Sequence, residues 1–165
     1  MAKITFRGAE ANTVGTLPAV GEQIFDFELV AQDLSVKSLK DFEGKKKVIN
    51  FFPSVDTGVC AASVRKFNEE ASNLDNTVVI NISKDLPFAL GRFCASEGLE
   101  NVINLSDFRT NYSDILGVTL ADTPLKGLMS RGVIVLDENN KILHTEQVEE
   151  IGNEPNYESA LQVLK

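Results

Sequence analysis

What this sequence lacks excludes several protein classes. Its 165 residues include only two cysteines and one histidine, too few for a disulfide scaffold or a closed zinc site. No apolar run approaches the roughly 18 residues that a membrane span needs, and residues 1–7 lack the apolar stretch of a secretory signal. We therefore expect a cytoplasmic protein without a metal or another cofactor. In a reducing cytosol its cysteines would be buried and inert, metal ligands, or catalytic.

The chain is also poor in positive charge. Sixteen Lys and Arg residues against twenty-four Asp and Glu residues leave a net charge of −8, which disfavours binding to nucleic acid or to anionic membranes. The one basic cluster, residues 45–47, directly precedes an apolar run and is interpreted as the solvated start of a strand. The length fits a single domain over residues 1–165.

The hydrophobic pattern predicts strands that alternate with helices. A β-hairpin is expected at the front, around a turn near Gly8. Alternating or short apolar runs predict further strands at residues 25–29, 48–52, 77–83, 102–105, 132–136 and 141–147. Helical spacing predicts helices that start at Cys60 and that cover residues 87–96, 108–116 and 157–164. This order predicts an α/β fold, a central mixed β-sheet flanked by helices on both faces.

Cys60 lies where a predicted strand gives way to a predicted helix. Pro53 ends the strand, and Cys60, Val64 and Phe67 then begin an amphipathic helical face. In open α/β sheets, ligands bind at the carboxyl ends of strands. The unpaired N–H groups and the dipole of a helix N-terminus also favour a thiolate there. The position by itself leaves two interpretations open, a reactive thiol or a small buried apolar residue.

The residues before Cys60 form a motif. Pro53, Thr57 and Cys60 have the spacing P-x-x-x-T-x-x-C, which resembles the active-site loop of peroxiredoxins. The longer run over residues 53–68 resembles the bacterial thiol peroxidase subfamily in particular. Three other segments resemble the same subfamily, so that the resemblance covers essentially the whole chain: residues 75–87, 91–105 and 124–141.

The resemblance implies both a fold and a set of site residues. It implies a thioredoxin-like fold with an extra N-terminal β-hairpin, a homodimer, thioredoxin as the electron donor, and hydrogen peroxide and alkyl hydroperoxides as substrates. Cys94 matches the resolving cysteine and Arg131 the active-site arginine. We therefore expect Cys60 to be oxidised to a sulfenic acid and then to form an intramolecular disulfide with Cys94.

Three residues are expected to assist the attack of Cys60 on peroxide: Thr57, Arg131 and Pro53. A lowered thiol basicity alone gives too little acceleration, because nucleophilicity falls with it, so donors must stabilise the breaking O–O bond. The candidates are the Thr57 hydroxyl, which can both accept and donate, and the Arg131 guanidinium, and Pro53 would shield the thiolate from water. The structural alternatives are a helix N-cap for Thr57, a surface arginine, and a proline that merely ends a strand.

Two other functions use a reactive cysteine. A cysteine hydrolase needs an adjacent base, and the lone candidate, His144, falls in a predicted strand beyond an exposed turn. A non-enzymatic thiol redox sensor that uses Cys60 and Cys94 remains the alternative. Steady-state peroxide turnover separates the two, because a sensor would stop after one turnover.

Overall fold

A mixed β-sheet forms the centre of the molecule. The computed structural model describes residues 3–71, 74–99 and 102–165. The strands within these ranges are β1 (Lys3–Phe6), β2 (Ala9–Asn12), β3 (Leu29–Val30), β4 (Val36–Lys37), β5 (Lys46–Phe51), β6 (Thr77–Ser83), β7 (Val102–Ser106), β8 (Gly132–Leu136) and β9 (Ile142–Gln147). The helices there are α1 (Gly58–Ala71), α2 (Pro87–Glu97), α3 (Tyr112–Ile115) and α4 (Tyr157–Gln162), with a 3-10 turn at Leu39–Phe42.

The strand order interleaves strands from the first and second halves of the chain. The central sheet runs β4-β3-β7-β6-β5-β8-β9, with β5, β6 and β7 parallel and β8 and β9 antiparallel to their neighbours. Strands β1 and β2 form a separate hairpin. It attaches to the body through Thr5, whose N–H donates to Glu149 and whose carbonyl accepts from Ile151. The predicted mixed sheet and N-terminal hairpin are confirmed.

Both faces of the central strands are buried, because their side chains alternate between two cores. Ile49 and Phe51 pack on one face, in the core that includes α3. Val48 packs on the other face with Phe67 of α1 and Leu161 of α4. Among the described residues, no helix is long and apolar enough to cross a membrane.

The helix that carries Cys94 forms where its sequence signals place it. Pro87 occupies the first turn of α2, where its missing N–H costs nothing. Gly98 ends the helix with a left-handed φ of 67°, and its N–H donates to the Cys94 carbonyl. The predicted helix over residues 87–96 is therefore confirmed.

The predicted strand over residues 25–29 is wrong in its first part. Only Leu29 and Val30 pair with neighbouring strands. The Asp26 carboxylate accepts the N–H groups of Phe27 at 2.8 Å and of Leu39 at 3.0 Å. The Phe27 N–H, which a neighbouring strand would have bonded in the predicted strand, is therefore bonded to the Asp26 carboxylate instead.

The predicted helix over residues 108–116 is too long. The structure has only α3, because the buried Asp107 carboxylate folds the preceding residues into a turn. It accepts the Thr110 hydroxyl at 2.6 Å and the N–H groups of Tyr112 and Ser113 at 3.2 and 2.9 Å. The helix consequently begins at Tyr112.

Gly132, in strand β8, has no room for a side chain. A Cβ there would overlap the Phe51 ring and the backbone oxygen of Glu146. We expect Gly132→Ala to lower the free energy of unfolding by about 1–3 kcal/mol, the usual cost of overpacking a core. Urea denaturation measures this change.

The matched control is Gly91→Ala in α2. The nearest atom to its new methyl group is Gln32 Cγ at 3.8 Å, and alanine stabilises a helix interior by roughly 0.5–1 kcal/mol relative to glycine. Equal stabilities of the two variants would contradict the packing argument for Gly132.

Candidate active site

A cleft at the carboxyl end of β5 gathers three of the predicted site residues. Pro53, Thr57 and Arg131 line a cavity of about 280 Å³, together with Gly58 and Val59, the two residues directly before Cys60. The remaining walls come from the N-terminal hairpin and from two later loops: Phe6, Arg7, Leu125, Glu150, Ile151 and Gly152. Most of these wall residues are apolar.

Cys60 is fully buried at the third position of α1. The helix begins at Gly58, two residues earlier than the sequence pattern predicted. Cys60 packs in a small apolar cluster with Phe52, Val64 and Leu90. It therefore lies within the first helical turn, where backbone N–H groups lack intrahelical partners and the helix dipole is positive.

Thr57 lies immediately before α1 and is exposed. Its hydroxyl donates to the Ser54 carbonyl at 3.0 Å, and its own carbonyl accepts the Ala61 N–H at 3.0 Å. Because a carbonyl can only accept, the hydroxyl proton of Thr57 is engaged and its lone pairs are available to accept. The expected role of donor to the peroxide does not fit this side-chain orientation.

Asp85 organises the loop between Pro53 and Thr57, and the sequence analysis missed it. Its carboxylate accepts the Ser54 hydroxyl at 2.6 Å, the Val55 N–H at 2.9 Å and the Ser83 hydroxyl at 2.7 Å. The loop is thereby fastened to the end of β6. Asp85 lies just after the predicted strand over residues 77–83. This position at the carboxyl end of a strand was the one signal in the sequence that could have identified it.

Arg131 is buried, with 2% of its surface exposed, so its interpretation as a surface arginine is wrong. Its Nε donates to the Ile151 carbonyl at 2.7 Å. Its buried Nη1 has no hydrogen-bond partner among the described residues. Arg131 also lines the cleft and is a permanent cation, so its charge favours an anionic or electron-rich group there.

Cys94 lies apart from this cleft. It is buried in α2 and borders a second surface pocket, of about 290 Å³, next to Gly91 and Gly98. Burial raises the pKa of the Cys94 thiol, and a hydrogen bond from the side chain of Asn104 opposes that rise. Cys60 and Cys94 are both free thiols, so the structure is that of the reduced protein.

The described residues contain neither a metal-binding cluster nor a histidine that lines the cleft. Among the described residues, no cluster of three or more His, Cys, Asp or Glu side chains is arranged to hold a metal ion. His144 lies half-buried in β9 and is absent from the walls of the cleft, so no histidine base adjoins it.

Comparison with known proteins agrees with this arrangement. The Redoxin family model matches residues 19–161. The chain is 56% identical over 164 residues to the thiol peroxidase of Corynebacterium glutamicum, and the match covers 99% of each chain. It is also similar to a peroxiredoxin-like protein from Aquifex aeolicus, with a TM-score of 0.92 and 34% identity over 99% of this chain and 96% of the other.

The fold is shared more widely. The thiol peroxidase of Chromobacterium violaceum superposes with a TM-score of 0.92 at 22% identity, over 99% of this chain and 96% of that one. The predicted thioredoxin-like fold is confirmed. The chain belongs to the redoxin family and, within it, to the bacterial thiol peroxidases.

Proposed function

We propose that this protein is a single-domain cytoplasmic peroxidase that reduces hydrogen peroxide and organic hydroperoxides with Cys60 as its nucleophile. The observation that carries the proposal is the unpartnered Nη1 of Arg131 in the wall of the cleft that Val59 and Gly58 also line. A buried charged donor without a partner is costly, and a peroxide oxygen in the cleft would supply that partner. Membership of the thiol peroxidases supports the same activity.

In the first step, the Cys60 thiolate attacks one peroxide oxygen and the O–O bond breaks. Cys60 becomes a sulfenic acid, and the departing oxygen takes up a proton to leave as an alcohol or as water. Negative charge moves from sulfur to that oxygen, so the Arg131 guanidinium and the N–H groups of the first turn of α1 stabilise the transition state. Thr57 accepts a hydrogen bond from the protonated peroxide oxygen, and Pro53 limits the access of water.

In the second step, the Cys94 sulfur attacks the Cys60 sulfenic acid, and a disulfide and water form. A disulfide requires Cα atoms within about 7 Å, and Cys60 and Cys94 are buried free thiols on separate helices. We expect the first turn of α1 and the end of α2 to unwind before the bond forms. The resulting strain leaves a disulfide that thioredoxin can reduce, which returns both thiols.

The walls of the cleft favour substrates with a carbon chain. Phe6, Val59, Leu125 and Ile151 provide apolar surface beside Arg131. An alkyl group packed on these side chains would gain hydrophobic free energy, in proportion to the area that it buries. Organic hydroperoxides would therefore bind better than hydrogen peroxide.

The homodimer expected from the family has a suitable surface on this chain. Leu86 and Phe88 follow β6, and Phe108 follows β7, with exposed fractions of 51%, 68% and 43%. Strands β6 and β7 are parallel neighbours and end at the paired residues Ser83 and Ser106, so these side chains lie at one edge. Exposed apolar patches of this kind mark interaction sites, and we propose that a second copy covers this one.

The catalytic cycle is tested by the two cysteine variants. With thioredoxin, its reductase and NADPH, we expect steady peroxide-dependent NADPH oxidation by the wild type and none above background by Cys60→Ser. Cys94→Ser should react once with peroxide and then fail to cycle with thioredoxin. Mass spectrometry after one equivalent of peroxide should show a Cys60–Cys94 peptide within one chain. A wild-type protein that stops after one turnover would instead indicate a redox sensor.

Arg131 is tested by the rate of the first step. We expect Arg131→Ala to slow the stopped-flow reaction of Cys60 with peroxide about 100-fold, the scale of a lost transition-state donor. The exposed Arg109→Ala is the control and should change the rate less than twofold. An Arg131→Ala rate within threefold of the wild type would remove Arg131 from the mechanism.

The proposed dimer surface is tested by placing a charge within it. Phe88→Glu should convert the dimer to a monomer in light scattering after size exclusion, because a buried unpaired carboxylate is strongly unfavourable. Val20→Glu is the matched control, since Val20 is 61% exposed but lies in the loop that bonds to β9. A dimeric Phe88→Glu, or a monomeric wild type, would contradict the assignment.

A further inference from the structure

Three asparagines form a buried row across the centre of the sheet. Asn50 on β5 is paired with Asn81 on β6, which is paired in turn with Asn104 on β7. Their exposed fractions are 0%, 0% and 4%. Equivalent registers on adjacent parallel strands place the three side chains on one face. We call this row the amide ladder. Amides in an apolar core are unfavourable unless they are hydrogen-bonded, so their bonding partners are informative.

One end of the amide ladder reaches Cys94. The Asn50 Nδ2 donates to Asn81 Oδ1 at 2.9 Å, and Asn81 Nδ2 donates to Asn104 Oδ1 at 3.1 Å. The last amide, Asn104 Nδ2, donates to the sulfur of Cys94. The thiol that α2 contributes is therefore held by a side chain of the sheet as well as by its own helix.

The other end of the amide ladder reaches the backbone of Cys60. Asn50 Nδ2 also donates to the Ser63 hydroxyl at 3.3 Å, and that hydroxyl donates to the Cys60 carbonyl at 2.9 Å. Ser63 is fully buried. A continuous series of hydrogen bonds between buried groups consequently joins the first turn of α1 to the sulfur of Cys94.

Stability alone does not account for this arrangement. Asn50 Oδ1 is buried and has no hydrogen-bond partner in the described part of the chain. The bonds between the three amides all donate toward Cys94, while Asn50 Nδ2 also donates to Ser63 at the starting end, so only the Asn50 carbonyl is left unpaired. An apolar residue at position 50 would remove this unpaired acceptor but would take the donor away from Asn81 Oδ1. Asn50 contributes the hydrogen bond to Asn81, which connects α1 to the rest of the amide ladder.

We propose that Asn50, Asn81 and Asn104 are positioning residues that couple the release of Cys94 to the unwinding of the first turn at Cys60. When that turn unwinds, the Cys60 carbonyl leaves the Ser63 hydroxyl and the starting end of the amide ladder loses its anchor. The bond to the Cys94 sulfur then weakens, and the end of α2 opens. The ladder supplies no atom to the disulfide, whose formation from one thiol and one sulfenic acid releases one water. The inference deepens the proposed function and rests on it.

The test follows Cys94 in a Cys60→Ser background, where it is the sole thiol. Its labelling by a chromogenic aromatic disulfide is measured on the full-length reduced protein. The Asn50 side chain bonds to Ser63 and Asn81 and not to Cys94, yet Asn50→Leu should raise the labelling rate about fivefold, the scale of one lost hydrogen bond. Asn104→Leu, which removes the bond to sulfur directly, should raise the rate by at least as much. Because Asn50→Leu also leaves Asn81 Oδ1 without its donor and lowers stability, circular dichroism must show both the variant and its parent fully folded under the labelling conditions.

Ser63→Ala provides a second variant that deletes one hydroxyl and keeps the fold. It should also raise Cys94 labelling, by about threefold. The matched control is Ser113→Ala, another fully buried serine, whose hydroxyl bonds to Thr119 outside the amide ladder. It should leave the labelling rate within twofold of the parent.

The pH profile of labelling tests whether Cys94 has left its buried site. Burial raises the pKa of Cys94 in the closed state. Released Cys94 should label with a midpoint that falls toward about 8.5, the ordinary thiol value, in the ladder variants and not in Ser113→Ala. Labelling rates of Asn50→Leu and Ser63→Ala that match Ser113→Ala would overturn the inference. Because Cys60 is absent, this result does not depend on whether the protein is a peroxidase.

Discussion

The antiparallel pairing of β5 with β8 is the constraint on which the site depends. This pairing places Phe51 opposite Gly132, so the residues just beyond them, toward Pro53 on one strand and Arg131 on the other, meet at the same edge of the sheet. The close approach requires glycine at position 132, because the Phe51 ring fills the space of a side chain there. The pairing thereby brings the Arg131 cation beside the loop that precedes Cys60. In the sequence, Arg131 and Cys60 are 71 positions apart.

Two further contacts hold that edge in shape. The N-terminal hairpin bonds to Ile151 through Thr5, and the Ile151 carbonyl in turn orients Arg131. On the other side of the cleft, the Asp85 carboxylate holds the loop after Pro53 by accepting hydrogen bonds from Ser54 and Val55. The walls of the cleft therefore come from parts of the chain that are distant in sequence, and the guanidinium is fixed before any ligand binds. Such preorganisation makes a donor effective, since no reorganisation is needed during the reaction.

On the face of the sheet that carries the cysteines, tight packing opposes the opening that the proposed disulfide needs. Cys60 and Leu90 share one apolar cluster, which keeps the Cys60 thiol out of water. The proposed disulfide requires part of this packing to be given up. A buried amide row is suited to that task, because hydrogen bonds are directional and are lost over a short displacement, whereas apolar contacts weaken gradually.

The sequence by itself determined the family, the central strands and the candidate cysteines. The short apolar run at residues 77–83 and the Pro87 and Gly98 signals of α2 are local, and local patterns survive in any context. It failed at residues 25–28 and 108–111, where the carboxylates of Asp26 and Asp107 take the backbone N–H groups. Side-chain bonds of this kind depend on which segments meet in space, and hydrophobic periodicity carries no record of them.

Only the tertiary structure decided how the site is built. The burial of Arg131, its bond to Ile151 and the support that Asp85 gives to the loop all depend on strand order and register. The amide ladder is the clearest case, because three asparagines at positions 50, 81 and 104 have no periodic relation in the sequence. They become one hydrogen-bonded row because parallel pairing aligns β5, β6 and β7 in a single register. Register is set by the packing of both sheet faces together, and no single segment of the sequence contains that information.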